Sequence, residues 1–444
     1  MQHSHTLTAV ARLATALIVL AAAISRAEEI KVTAALGHPV LLADQKQTSY
    51  LKVSLTGFST SRMEKRTPVN VAIVLDRSGS MTGEKLRKAK EAAILAIDRL
   101  NTDDIVSVVA YDNQVQVLVP ATKVSDRAAI HAAIGRLQPG GSTALFAGVS
   151  KGAAEVRKFL DRHRTNRVVL LSDGIANVGP SSPSDLAELG ASLIKEGIAV
   201  TTIGLGADFN EDLMTKLADK SDGNHWFVEH VSDLARIYNK EFGDVLSVVA
   251  QEVIIRIRCA DGIRPVRVLG READVTGQTV TVGLNQLYAD KEKFVLLEVE
   301  VPATGDGRSR EIATTEVTYA NMATHRADRI RCTANVRFSS SAKLVTGSEN
   351  ANVMVSAVEM IAVENNKRAT DLRDAGKIEE ARGVLIWNNR YLNLNAEKYD
   401  SPALRQYGVL NNIQSQSLSN EQWNTTRKDM RMYQSGLIRQ QMAP

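Results

Sequence analysis

The sequence predicts an α/β fold whose doubly wound, mostly parallel sheet of six strands is inserted in a β-sandwich and followed by a helical C-terminal region. Three observations predict this. Between residues 71 and 229, apolar runs of strand length alternate with segments of helical periodicity. On both sides of this block, apolar and polar residues alternate singly, as in half-exposed strands. Beyond residue 347 the pattern is helical.

The central block contains the clearest elements. We predict strands at residues 71–76, 104–112, 114–120, 167–174, 199–206 and 225–229, with helices at 84–100, 125–137, 143–161, 184–196, 211–220 and 232–246. Short continuous apolar strands separated by helices indicate a mostly parallel sheet that is covered on both faces. Little more than Asn113 separates the second and third strands, so we expect these two to form an antiparallel hairpin at the sheet edge.

The flanking strands are interpreted as one discontinuous domain. Neither flank holds enough strands to be sure of a core of its own, and the short N-terminal piece certainly does not. The economical interpretation is a β-sandwich built from residues 28–66 plus 250–340, with a domain of residues 67–249 inserted between its strands. Residues 347–444 then form a helical region that packs on the sandwich.

Residues 1–27 have the pattern of a cleavable signal peptide. An apolar run from Leu13 to Ala23 follows Arg12, and the small residues Ser25 and Ala27 come just before Glu28. The rival interpretation is an uncleaved anchor helix, but the run is shorter than the roughly 20 residues that a membrane span needs. We therefore expect cleavage after Ala27, a secreted or periplasmic protein, and no membrane span in the mature chain.

Charge and cysteine content bear on the partners. The chain has 54 basic and 50 acidic residues, a formal net charge of +4, and no basic block with interleaved aromatics. Nucleic acid is therefore not an expected partner. Cys259 and Cys332 are the only cysteines, and in an exported protein such a pair more often bonds than stays free. We expect a Cys259–Cys332 disulfide, with two separately buried thiols as the alternative.

The strongest functional signal is the segment VAIVLDRSGSM. Asp76, Ser78 and Ser80 follow a buried strand and precede an amphipathic helix. In a sharp loop, this spacing aims one carboxylate and two hydroxyls at one point, and Mg²⁺ prefers such hard oxygen ligands. The point lies at the carboxyl edge of the predicted sheet, where open sheets bind ligands. The alternative is helix capping by Asp76 in a serine-rich turn without metal.

This segment resembles the metal-ion-dependent adhesion site of the von Willebrand factor A and integrin I-domain family. Two further pieces of the family's pattern follow in the right order: LQPGGSTALFAGV, which contains Thr143, and VVLLSDGIANVG, which contains Asp173. The first motif alone is weak, but three pieces in order, each at the end of the expected element, are specific. The resemblance covers roughly residues 68–248 and implies a Rossmann-like domain.

The resemblance also implies one divalent cation, Mg²⁺ in the first place and otherwise Mn²⁺ or Ca²⁺. Ser78, Ser80 and Thr143 would bind it through their hydroxyls, while Asp76 and Asp173 would act through waters and orient those hydroxyls. Few anionic ligands leave the cation strong residual charge and an open position. Such a site suits the capture of an exposed Asp or Glu of a protein partner.

Other patterns are weaker. His225 and His230 stand five residues apart, on opposite faces of a strand, so we expect a half-buried His225 and a loop His230 rather than a metal site. The segment GLGADFN, residues 204–210, lacks a third glycine and is interpreted as a turn. The sequence has no His-Glu-x-x-His motif and no Gly-Lys-Ser/Thr motif, so neither that type of zinc protease nor a P-loop is supported.

Three functions compete for the cation site. We favour a secreted or periplasmic adhesion protein that captures an acidic side chain. The second is a regulatory or assembly subunit of an envelope complex. The third is a Mg²⁺-dependent hydrolase that polarises a phosphoryl or carbonyl oxygen. The motif segments contain no His or Cys, and their only carboxylates are Asp76 and Asp173. We therefore assign no catalytic residue and expect no enzyme.

Overall fold

The computed structural model describes residues 29–63 and 65–441. The signal peptide predicted at residues 1–27 lies outside these ranges and stays a prediction. No helix of the described part of the chain is both long and apolar enough to cross a membrane. The first strands of the described part are β1 (Lys31–Leu36), β2 (Val40–Leu42) and β3 (Gln47–Thr56).

A six-stranded α/β sheet follows in the chain. Its elements are β4 (Val69–Asp76), α1 (Glu84–Asp98), β5 (Ile105–Tyr111), β6 (Val115–Lys123), α2 (Arg127–Gly135), α3 (Leu145–Arg157), β7 (Thr165–Ser172), α4 (Pro183–Lys195), β8 (Ile198–Leu205), α5 (Glu211–Lys220), β9 (His225–Val228) and α6 (Leu234–Val245). The strand order is β6-β5-β4-β7-β8-β9, and only the β5–β6 pair is antiparallel. Every residue of β4, β5, β7, β8 and β9 is buried, because helices cover both faces. The predicted sheet and its edge hairpin are confirmed.

Strands from both flanks form two packed sheets. The later strands are β10 (Val248–Cys259), β11 (Arg264–Leu269), β12 (Asp274–Thr276), β13 (Thr279–Tyr288), β14 (Glu292–Val301), β15 (Ser309–Asn321) and β16 (Ala327–Ser339). One sheet has the order β1-β3-β14-β11 and the other β12-β13-β10-β15-β16-β2. Val53 of β3 and Ile255 of β10 belong to the apolar core between them. The sandwich thus combines strands that precede the α/β sheet in the chain with strands that follow it. The domain limits at residues 67 and 249 stay a prediction.

The predicted Cys259–Cys332 disulfide is wrong, since both cysteines are free thiols. Cys259 of β10 is paired with Ala313 of β15, and Cys332 of β16 is paired with Thr315 of the same strand. The intervening strand puts about 10 Å between β10 and β16, more than the roughly 7 Å that a disulfide tolerates between Cα atoms. Burial raises the pKa of both thiols, that of Cys259 to about 11.

Helices cover the outer face of the four-stranded sheet. The short helix α7 (Ala342–Gly347) lies beside β2 and β16 of the other sheet. The helices that cover this face are α8 (Ala351–Asp374), α9 (Ile378–Lys398), α10 (Pro402–Gln416) and α11 (Asn420–Arg439). Alternate residues of β14 point to opposite faces, so Val295 joins the sandwich core while Leu296 belongs to a second apolar cluster that includes Val358 of α8 and Tyr407 of α10. The helical region is therefore built onto the sandwich.

The last helix ties this region to the α/β sheet through ion pairs. Arg427 of α11 pairs with Glu211 and Asp212 of α5, and also with Asp374 of α8 at 2.8 Å. Lys428, only 2% exposed, lies 2.6 Å from the second carboxylate oxygen of Glu211. Helix α11 thus contacts both parts, and the three parts of the chain form one continuous structure.

A buried ion pair joins the α/β sheet to the sandwich. Arg167 of β7 and Glu241 of α6 have no exposed side-chain surface, and their Nη1 and Oε1 atoms lie 2.9 Å apart. Arg167 also donates to Gln286 Oε1 at 2.5 Å and to the Tyr288 hydroxyl at 3.0 Å, both on β13. Burial by itself would lower the pKa of Arg167, but the neighbouring Tyr288 and Glu241 raise it by more. The pKa is therefore above its usual value, and the guanidinium stays charged.

Glu241 also receives neutral hydrogen bonds. Thr201 Oγ1 donates to its Oε1 at 2.5 Å, while Asn224 Nδ2 and Trp226 Nε1 donate to its Oε2 at 2.7 and 3.2 Å. The carboxylate is therefore bonded to β8 and β9 as well as to β7. A buried charge is stable in a protein only with partners of this kind.

We expect Arg167→Met and Glu241→Leu each to lower the free energy of unfolding by roughly 3–5 kcal/mol, because each leaves one charge buried without its partner. The double variant leaves neither charge, so its loss should be clearly smaller than the sum of the two single losses. Denaturant unfolding of the full chain measures all three. Losses that simply add would show that the two side chains do not act as a pair.

We also expect residues 67–249 to fold when expressed alone, because their sheet has an apolar core on each face. Residues 250–340 alone lack β3, which pairs with β14 along its full length, so an edge and an apolar face are left open. Amide NMR spectra of the two fragments test this division. Dispersed resonances from the 250–340 fragment would contradict it.

Candidate metal centre

Asp76 ends β4 at the carboxyl edge of the sheet, beside the end of β7, where the strand order reverses. Its Oδ1 accepts a hydrogen bond from the Ser78 backbone N–H at 2.8 Å, which turns the chain directly after the strand. A short 3₁₀ turn, Gly79–Met81, follows and is anchored by the buried Met81. The N-cap of α1 is Gly83, so the alternative role of Asp76 as a helix cap is not supported.

Three hydroxyl groups converge at this edge. The Oγ atoms of Ser78 and Ser80 lie 3.0 Å apart. A β-carbon placed on Gly174 would lie 3.2 Å from Thr143 Oγ1, 3.3 Å from Ser80 Oγ and 3.9 Å from Ser78 Oγ. The three oxygens therefore surround one position, and a side chain at residue 174 would intrude on it.

Backbone hydrogen bonds hold the Thr143 loop against the Ser78 loop. Gly79 N donates to Gly141 O at 3.1 Å, and Gly140 N donates to Arg77 O at 2.7 Å. Gly141 has a φ of +73°, a conformation that favours glycine. The Thr143 backbone N–H donates to Asn177 Oδ1 at 2.9 Å. These contacts fix Thr143 opposite the serines although it lies far away in sequence.

Two carboxylates lie beside the hydroxyls, and both are fully buried. Asp173 Oδ1 accepts from Ser80 Oγ at 2.6 Å, and Asp76 Oδ2 accepts from Ser172 Oγ at 2.6 Å. Burial, together with the charge of Asp173, raises the pKa of Asp76, although hydrogen bonds from Ser172 and Ser78 oppose this. The structure thus brings together all five residues that the sequence motifs predict.

The ammonium group of one lysine lies at the rim of this centre. Lys85 Nζ of α1 is 2.5 Å from Asp173 Oδ2, and its side chain is 30% exposed. Among the described residues, Asp173 has this ion pair and Asp76 has none, so negative charge is left uncompensated at this point. Tyr111, whose pKa burial and Asp76 raise well above 10, supplies only a neutral hydroxyl, 3.4 Å from Asp76 Oδ2.

Sequence reasoning missed Ser172, Lys85 and Tyr111. Ser172 directly precedes Asp173, but the alternation of a strand gave no reason to expect both residues at one site. Lys85 could have been found, because it lies in the first turn of the helix that follows the Asp-x-Ser-x-Ser motif. Tyr111 ends β5, the neighbour of β4, and only the strand order reveals its position.

The residues present fit a hard divalent cation. Hydroxyl and carboxylate oxygens are the ligands of Mg²⁺ and Ca²⁺, whereas softer metals select imidazole and thiolate. Within the described residues, no group of three or more His, Cys, Asp or Glu side chains is arranged for a metal ion. The converging hydroxyl and carboxylate oxygens of this centre match the ligands of a hard cation, which makes them the candidate site.

His225 and His230 do not form a site together. His225 is fully buried rather than half-buried, and its Nδ1 lies 2.9 Å from Thr202 Oγ1. Burial lowers the pKa of His225 to about 4, so the ring is neutral. His230 is exposed beyond the end of β9. Gly204 and Leu205 still belong to β8, so the turn predicted at residues 204–210 begins at Gly206, which has a φ of +73°.

Known proteins resemble part of this chain. Residues 70–240 match the family model of the von Willebrand factor type A domain. The chain is 30% identical over 246 residues to an uncharacterized protein of Synechocystis, covering 53% of this chain and 58% of that protein. It is 29% identical over 173 residues to human inter-alpha-trypsin inhibitor heavy chain H3, covering 37% of this chain and 19% of that protein. The chain thus spans less than two thirds of the length of either relative.

A solved structure shares the architecture more completely. A von Willebrand factor type A protein from Catenulispora acidiphila superposes with a TM-score of 0.67 at 19% identity, covering 86% of this chain and 90% of that one. At this identity the likeness shows the fold alone. The family match identifies residues 70–240 of the chain as a von Willebrand factor type A domain.

Proposed function

We propose that this chain is a secreted or periplasmic binding protein that uses a divalent cation to capture an acidic side chain of a partner protein. Domains of this family generally mediate protein–protein interaction and commonly bind a divalent metal. The observation that carries the proposal is the convergence of Ser78, Ser80 and Thr143 hydroxyls on one position beside two buried carboxylates. Export is proposed from the pattern of residues 1–27.

Each residue has a distinct role in this proposal. The hydroxyls of Ser78, Ser80 and Thr143 bind the ion directly, and Asp76 and Asp173 orient them and hold bound waters. A bound divalent cation supplies a positive charge with an open coordination position, which a carboxylate completes. Because the direct ligands are neutral hydroxyls, they leave that charge available to the partner.

Binding is a better account of this centre than catalysis. A hydrolase needs a general base within hydrogen-bonding reach of its nucleophile. Asp173 is already bonded to Ser80 and Lys85, and Asp76 is bonded to Ser78 and Ser172. The buried His225 and the free thiols of Cys259 and Cys332 lie elsewhere in the described chain. We therefore propose that the protein is not an enzyme.

We expect Mg²⁺ to raise the melting temperature of the parent clearly more than that of Thr143→Ala, because a ligand that binds only the folded state stabilises it by about 2.7 kcal/mol at 100 times Kd. Calorimetric titration should show affinity for Mg²⁺ at least tenfold weaker in the variant. Ser142→Ala, an exposed neighbour in the same loop, is the matched control and should behave as the parent. Equal stabilisation of all three proteins would refute the assignment of Thr143.

Capture of partner proteins should distinguish the same three proteins. The parent and Ser142→Ala, immobilised and exposed to a membrane and periplasmic extract, should retain proteins in Mg²⁺ that are released by chelator. Thr143→Ala should retain none of them. Retention that depends on neither Mg²⁺ nor Thr143 would contradict the proposal. A partner that is retained in fixed stoichiometry would favour a regulatory or assembly subunit over an adhesion protein.

Lys85 tunes the affinity in this proposal. Its ammonium group neutralises part of the Asp173 charge and repels a nearby cation, so Lys85→Met should strengthen Mg²⁺ binding roughly tenfold, which corresponds to about 1.4 kcal/mol. Lys88→Met is the control, because Lys88 lies on the same helix but pairs with Glu91. Calorimetric titration checks both. Weaker binding in Lys85→Met would show that the lysine supports the site instead.

A further inference from the structure

A cavity of about 630 Å³ lies where the three parts of the chain meet. Its wall combines the end of α4 and the second half of α5 with β10 and β13 of the sandwich, the loop after β11, and helices α8 and α11. Ligand pockets of this size commonly occur between domains. The cavity lies outside the candidate metal centre, and none of the metal-site residues lines it.

Most acidic side chains of the wall already have partners. Glu272 pairs with Lys220 at 2.6 Å, and Glu196 pairs with Arg157, which lies outside the wall, at 2.6 Å. Asp222 pairs with Arg439 and accepts a hydrogen bond from the Asn285 backbone N–H at 2.7 Å. These carboxylates have little capacity to balance further positive charge.

Several cations of the wall lack such partners. Within the described residues, Lys195, Lys216, Arg271 and Lys367 line the cavity and make no ion pair. Arg271 makes one hydrogen bond, from Nη2 to Gln440 Oε1 at 3.3 Å. Among the described lining residues, Glu252 is the one carboxylate without an ion pair, so the wall still carries an excess of unpaired positive charge.

Unsatisfied hydrogen-bonding groups of the wall point to the same chemistry. Among the described lining residues, the buried side-chain atoms without a hydrogen-bond partner are Asn285 Nδ2, Arg271 Nε and Arg439 Nε, of which Arg439 Nε forms an ion pair with Asp219 Oδ1 at 3.5 Å. Asn285 is only 8% exposed. All three atoms are donors and none is an acceptor. Since buried donors without partners cost free energy, the wall is complementary to a ligand rich in acceptors.

A buried lysine behind the wall adds to the excess. Lys293 is 1% exposed, and its Nζ has no hydrogen-bond partner. Burial and the charges of Arg271 and Arg439 lower the pKa of Lys293 to about 8, although Asp222 opposes this. Burial and Arg439 likewise lower the pKa of Arg271 to about 10. The Asp222 carboxyl is thus surrounded by more positive charge than it balances.

We propose that this cavity binds a small organic phosphate. A phosphoryl dianion balances more than one excess positive charge, and its tetrahedral oxygens accept hydrogen bonds from donors on different elements. The volume exceeds the needs of a phosphate group alone, and Ile194, Ile254 and Leu284 offer apolar surface to an organic part. A ligand in this place contacts all three parts of the chain and stabilises their arrangement.

Phenyl phosphate is a suitable probe, with phenylacetate as its carboxylate counterpart, both at constant ionic strength in metal-free buffer. For the full chain we expect saturable binding of phenyl phosphate by calorimetry, a shifted ³¹P resonance and a raised melting temperature, with phenylacetate at least tenfold weaker. Binding of both probes with equal affinity would overturn the phosphoryl assignment. No saturable binding of phenyl phosphate would overturn the proposal.

The double variant Arg271→Gln/Lys367→Gln removes two unpaired cations of the wall and should weaken phenyl phosphate binding at least tenfold. Lys343→Gln, an exposed lysine of α7, is the matched control and should bind as the parent does. Equal affinity of the parent and the double variant would place any binding elsewhere and refute the site.

Lys293→Met separates this role from a purely structural one. If Lys293 belongs to an anion site, its removal relieves buried positive charge, so the melting temperature without ligand should not fall while phenyl phosphate affinity falls at least tenfold. A lower melting temperature with unchanged affinity would show that Lys293 serves only as a partner of Asp222, and would contradict the proposal. The double variant decides the matter if Lys293→Met does not fold.

Discussion

The buried ion pair between Arg167 and Glu241 is the interaction on which the joint between the α/β sheet and the sandwich depends. Its carboxylate is bonded to β7, β8 and β9, and its guanidinium continues to Gln286 and Tyr288 of the sandwich. Charges in an apolar interior are tolerated only while such geometry is maintained. Helix α6, strand β7 and strand β13 must therefore keep their positions together, and β7 ends at Ser172 in the candidate metal centre.

The two ends of β7 differ in how buried charge is balanced. Near the amino end, Arg167 and Glu241 neutralise each other. At the carboxyl end, Asp76 and Asp173 are buried with one partly exposed ammonium group, that of Lys85. Since buried charges need counter-charges, the first arrangement is complete within the chain, whereas the second leaves negative charge that the proposed cation would balance. This difference is why we treat one as a structural joint and the other as a binding site.

The sequence predicted the sheet and the convergence of the motif residues better than the contacts between the parts. Apolar periodicity and three ordered motifs are local signals, so the strands and the positions of Asp76 and Thr143 followed from them. The cysteine prediction failed because β15 lies between β10 and β16, an order that no local pattern reveals. Arg167 escaped notice for the same reason: an arginine in a buried strand has meaning only when Glu241, 74 residues later, is placed beside it.

Anomalous X-ray scattering from Mn²⁺ tests the central claim, a cation site built from hydroxyls at the carboxyl edge of the sheet, most directly. Crystals of the full chain soaked in MnCl₂ should show an anomalous peak roughly 2.0–2.4 Å from Ser78 Oγ, Ser80 Oγ and Thr143 Oγ1, as expected for divalent cations bound by oxygen. Asp76 and Asp173 should lie close by without both binding directly. An anomalous map with no peak at this position, under conditions in which Mn²⁺ saturates other sites, would contradict the account.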